Sequence, residues 1–161
     1  MNPRRGIPVT TLVIAALTAA VLGWLGLRWW VDSGHAMPQL SWVGVVAILV
    51  LAGGLLAAGW PVKKLRDGVA EHVVSPLRAA RVLVLAQAGA LTGAVLFGWY
   101  AAGVLVLLPD VDVASIRSDV WMLVAHAGSA AVLSAAGLVV QSWCRIVPPD
   151  EDETGPEDLP G

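Results

Sequence analysis

Four long stretches of this sequence carry almost no charge, and short segments between them carry nearly all of it. The stretches run from about Val9 to Trp30, Leu40 to Trp60, Ala79 to Leu108 and Val120 to Trp143. Each reaches the roughly 20 apolar residues that a hydrocarbon core of about 30 Å requires of a helix rising about 1.5 Å per residue. In lipid the backbone polar groups have no water to bond, so helices must carry these segments despite their many valines. The expected fold is therefore an all-α membrane protein, a four-transmembrane-helix bundle over residues 1–147. The composition agrees: 57% of the 161 residues are hydrophobic and 14% charged, against roughly 45–50% and about 25% in soluble domains.

The first stretch also has the outline of a signal peptide, with Arg4 and Arg5 ahead of an apolar run and Leu17-Thr18-Ala19-Ala20 as a faint cleavage site. The run continues through Val21, Leu22 and Trp24 to Trp30, beyond the 7–15 residues of a signal core, and a retained helix is expected. Orientation follows from the basic residues. With the N-terminus inside, Arg4, Arg5, Lys63, Lys64, Arg66, Arg78, Arg81 and Arg145 are cytoplasmic and only Arg28 and Arg117 outside. This bias places both termini in the cytoplasm of a multi-pass protein of the cell membrane. Trp29, Trp30, Trp42, Trp60, Trp121 and Trp143 fall near the span ends, where amphipathic rings favour the interface.

Pro61 is expected to end the second helix, since a proline inside a helix loses a hydrogen bond. Ser75-Pro76 reads as the cap and first residue of the third, which then starts before the membrane does. Short connections make antiparallel packing of successive helices the default. Beyond Trp143 the chain turns acidic, from Pro148-Pro149-Asp150-Glu151 onward, and residues 148–161 are expected to form a disordered cytoplasmic tail. The tail reads as a solubilising end more readily than as an arm for a basic partner.

Small residues recur at a spacing of four: Ala15, Ala19 and Gly23; Gly54 and Ala58; Gly89 and Gly93; Ala94, Gly98 and Ala102. Such stripes let helix backbones approach, so Gly23, Gly54, Gly89, Gly93 and Gly98 are expected at helix contacts. Polar residues inside lipid are costly and make Gln87, Thr92, His126 and Ser129 the intramembrane candidates. His126 has two readings, a proton relay or ligand contact, and a neutral imidazole bonded to a backbone carbonyl or to Tyr100. With no carboxylate or second ligand in any span, the second is favoured. Gln87 suits a bond between helices, while Thr92 and Ser129 suit bonds to the preceding turn of their own helix.

Lys63, Lys64, Arg66, Arg78 and Arg81 form a basic rim suited to lipid headgroups or a partner, although topology alone would also place them there. The lone Cys144 reads as a small residue at a helix end ahead of a palmitoylation or redox site. No catalytic constellation, metal-ligand cluster or phosphate-cradling loop is present, so neither an enzyme nor a cofactor is called for. A net charge of −2 leaves no nucleic-acid footprint.

The run from Ser75-Pro76-Leu77-Arg78-Ala79-Ala80-Arg81 through Gln87, Gly89, Thr92 and Gly93 to Gly98-Trp99-Tyr100 resembles the central signature of an actinobacterial membrane family. That family is known as domain of unknown function number 3180 and is often encoded beside folate-biosynthesis genes. The resemblance continues at Gly23-Trp24-Leu25, Leu108-Pro109 and Trp143-Cys144-Arg145. It implies a membrane location and a four-helix layout, and supplies no activity or catalytic residue. The family pattern tends to carry a basic residue where this chain has Gln87, so it implies no charged role at that position. The functional expectation is a small non-enzymatic accessory or scaffold subunit, associating with itself or with a larger membrane protein in the lipid bilayer. The alternative is a transporter or permease subunit acting as an oligomer, with Gln87, Thr92 and His126 along its path.

Overall fold

The computed structural model describes residues 7–35, 40–66 and 76–144. These form helices α1 (Val9–Asp32), α2 (Trp42–Arg66), α3 (Pro76–Leu107) and α4 (Ala114–Trp143), with a single 3₁₀ turn, Leu108–Asp110, between α3 and α4. All four helices are long and apolar enough to cross a membrane, and no strand occurs among the described residues. The all-α membrane fold is thus the one expected. The acidic tail, Ser75, Arg4, Arg5 and Arg145 lie outside the described residues.

Local chemistry sets several helix ends. α1 closes in a Schellman arrangement: Gly34, at a φ of 77°, sends its N–H to the Val31 carbonyl while His35 N–H reaches the Trp30 carbonyl. Only glycine enters that left-handed conformation without a steric cost. Ahead of α2, the Ser41 hydroxyl accepts the Val43 N–H at 3.3 Å, satisfying one orphan donor of the first turn. α3 begins at Pro76, as expected, and its 32 residues span about 48 Å.

Pro61 does not end α2, which continues to Arg66. An internal proline costs a helix about 3 kcal/mol, and here tertiary contacts hold the turn beyond it. Val62 packs against the core cluster of Ile48, Leu55 and Val140, and the Lys63 ammonium lies over the rings of Trp60 and Trp143.

The packing order is α1, α3, α4, α2. α3 contacts α4 and α1 extensively, α2 rests chiefly on α4, and α1 and α2 share no substantial interface. This departs from the default of packing between successive helices. The cause is where the backbones can approach. A Cβ on Gly93 would lie 2.5 Å from Ser134 N and 2.8 Å from the Ala130 carbonyl oxygen; one on Gly137 would lie 2.6 Å from both the Ala86 carbonyl oxygen and Ala90 N. The α3 and α4 backbones therefore touch across two glycines, one from each helix, with Ala86 and Ala90 fully buried between them. Gly98 does the same for α1, where its missing side chain admits the Ala16 carbonyl, and Gly23 lies against Ala102 and Trp99.

Gly89 meets Leu55 of α2, with 2.8 Å to a would-be Cβ. Gly54 is a correction. It is exposed and has nothing within 4 Å of its Cβ position. α2 packs instead through Val45, Ile48, Ala52, Leu55 and Gly59, which are buried and share one face at helical spacing.

Candidate functional site

Three places bring polar or open features together, and they lie apart from one another. The first surrounds His126 on α4, which is 2% exposed. Its Nδ1 lies 2.9 Å from the Met122 carbonyl oxygen. A carbonyl can only accept, so Nδ1 carries the proton and the neutral ring keeps its lone pair on Nε2. Nε2 is aimed at Gly44 of α2, where a Cβ would come within 2.7 Å of it. Tyr100 of α3 stacks on the imidazole at 4.9 Å and 47°, and the Ser129 hydroxyl donates to the His126 carbonyl at 2.9 Å. Both the carbonyl bond and the Tyr100 contact weighed for His126 are present, the latter as ring stacking. Ser129 bonds within its own helix.

The second place joins the two ends of the described chain. Ile7 N–H donates to Gln141 Oε1, and Gln141 Nε2 donates to the Ile7 carbonyl, each at 3.1 Å. One side-chain amide thus satisfies both backbone groups of the residue two before α1. Gln141 was not among the sequence candidates. The same rule that singled out Gln87, a polar side chain within an apolar span, would have found it. Ser134 was missed too, and its hydroxyl bridges helices by donating to the Ala90 carbonyl at 3.0 Å.

Beside that clamp lies a groove of about 590 Å³ with α3 as its floor and α1 and α4 as its walls. Seven of its fifteen lining residues are alanine or glycine: Ala16, Ala20, Ala94, Gly98, Ala101, Ala131 and Ala135. The remainder are apolar except Ser134, whose hydroxyl is already bonded within the bundle. The Ile7–Gln141 pair follows directly on the lining residues Val9 and Leu138 and closes that end.

The third place is the end of the bundle where α2 stops and α4 finishes. Trp60 and Trp143 meet edge to face at 6.4 Å and 85°, with Lys63 Nζ 5.4 Å from each ring centroid. Lys64 and Arg81 are exposed; Arg66 is the last residue of α2 and Arg78 lies in the first turn of α3. Burial pushes the Cys144 thiol up from its ordinary value, which disfavours the reactive thiolate.

The four polar candidates do not converge. Gln87 precedes Tyr100, the α3 neighbour of His126, by thirteen residues, about 20 Å along the helix. Thr92 is turned outward on an exposed position of α3, and Gln87 is half-buried.

The family described as Protein of unknown function (DUF3180) matches residues 12–149 of the chain. The chain belongs to this family. The matched region begins within α1 and takes in all of α2, α3 and α4, so the DUF3180 unit is the helical bundle itself. It includes the groove and the Trp60–Lys63–Trp143 cluster, while Ile7 lies just ahead of it. No curated protein and no solved structure matches the chain.

Proposed function

We propose that this DUF3180 protein is a non-enzymatic accessory or scaffold subunit of a cell-membrane complex. In this reading both termini are cytoplasmic, and the groove between α1, α3 and α4 receives one transmembrane helix of a larger membrane protein. The observation that carries the reading is the groove's lining. Lipid tails fill any lipid-facing surface, but alanines and glycines along a trough remove the bulk that keeps two helices apart. The chain uses the same device internally, where Gly93 and Gly137 bring α3 and α4 into backbone contact. The orientation rests on the basic residues of the α2–α3 connection. A permease route would need Gln87, Thr92 and His126 along one path, and their separation lends it no support.

Site-specific photocrosslinking in native membranes tests this. A crosslinker at Ala135, in the groove, is expected to give one defined protein adduct, and one at Gly54, on the open face of α2, none. Ala135→Phe should reduce recovery of that partner about tenfold or more without lowering abundance, the scale of an overpacked contact. If Ala135 and Gly54 crosslink alike, or the adduct is only a second copy of this chain, the accessory-subunit reading fails.

A further inference from the structure

Lys63 is held in a way that a merely solvated lysine is not. Gly59 leaves room for Trp143 to lie across α2: a Cβ there would be 3.3 Å from the ring's Cε3. Trp60 stands one turn before Lys63 on the same helix, so residues i and i+3 face the same side. The two indoles, nearly perpendicular, fix the ammonium 5.4 Å from both centroids. Ring faces attract a cation through their quadrupole but supply no acceptor lone pair, so the ammonium's three N–H donors stay available.

Among the described residues no carboxylate lies at this end. Asp32, Asp110, Asp112 and Asp119 are all at the opposite one; Asp67 and Glu71 fall outside the described residues. Lys64, next in sequence, is exposed and adds charge of the same sign. Tryptophans mark the level of the lipid headgroups, so the cation stands at the height where lipid phosphates lie.

We propose that Trp60, Lys63 and Trp143 form a binding site for the phosphate of an anionic membrane lipid. Lys63 donates to the phosphate oxygens, the two rings hold the ammonium in place, and the exposed Trp60 ring lies against the upper part of the lipid chains. This is independent of the groove, which is apolar and lined by other residues.

The test is native mass spectrometry of the full-length protein in mild detergent, supplied with phosphatidylglycerol or phosphatidylcholine of matched chains. The wild type should retain phosphatidylglycerol selectively. Lys63→Gln should lower that retention about fivefold, the scale of one basic residue at an anionic surface. Lys64→Gln should lower it less than twofold. Trp60→Leu keeps the charge and removes one ring, and is expected to fall between the two. Unchanged selectivity in Lys63→Gln, with helix content intact by circular dichroism, overturns the site, and unchanged selectivity in Trp60→Leu overturns the role of the rings. Displacement of the lipid by millimolar inorganic phosphate would overturn a lipid ligand in favour of free phosphate.

Discussion

α4 and α1 are both apolar, both long enough to cross a membrane, and yet are held quite differently. Nine residues of α4 are buried, among them His126, Ser129 and Gly137, against only Leu12 and Gly23 in α1. α4 lies between α2 and α3 and meets α3 backbone to backbone. α1 touches the bundle along one line on α3, and the Gln141 amide ties the residue before Pro8 to α4. The difference teaches what holds helices in lipid. With no hydrophobic drive between them, burial goes to the helix whose backbone can be approached from two sides, and hydrogen bonds serve as ties. The groove is the other consequence, since α1 and α4 are both fixed to α3 without filling the space between them.

The sharpest way to break this comparison is at the α3–α4 contact. Gly137→Ala places a methyl group 2.6 Å from backbone atoms of Ala86 and Ala90, which cannot turn aside as a side chain would. A loss of about 3 kcal/mol is expected, the upper range for overpacking, measured by reversible unfolding in lipid bicelles. Wild-type stability in this variant would remove the backbone contact as the centre of the fold.

A smaller effect is expected at the tie. Gln141→Leu removes both bonds to Ile7, and hydrogen bonds between buried groups in lipid average about 0.6 kcal/mol with a maximum near 1.7. A loss of about 1 kcal/mol is expected, together with faster protease cleavage ahead of α1. If the N-terminus is cleaved no faster, the amide is not what secures α1.

The smallest effect, of opposite sign, belongs to Gly54. Its Cβ position is open, so Gly54→Ala should meet no neighbour and gain helix propensity, about 0.5–1 kcal/mol of added stability in the same unfolding assay. A clear loss instead would mean that this face of α2 is covered in the native assembly and would sharpen the search for a second interface.

Much of the architecture was legible in the residues. Pro76 marked the start of α3, the tryptophans marked span ends, and four of the five glycines chosen for packing do line helix contacts. Gly54 was indistinguishable from them because spacing alone does not say which face turns inward. Pro61 failed as a stop because contacts of Val62 and Lys63, made to distant residues, outweigh one lost hydrogen bond. At the candidate sites, His126 stood out as a lone imidazole in an apolar helix. Its neighbour Gly44 and the Gln141–Ile7 pair join residues far apart in sequence, and the groove has no sequence signature because its walls come from three helices.

The sequence by itself determined that four helices form and roughly where each begins and ends, because only a continuous run of apolar residues in intramolecularly bonded backbone can cross lipid. Only the tertiary structure decided which helices are neighbours and which faces meet. A soluble helix declares its buried face by the contrast between apolar and polar sides. Here the outward faces are apolar too, so that contrast is missing, and the choice falls to backbone shape at Gly93, Gly98 and Gly137 and to a few polar ties such as Gln141.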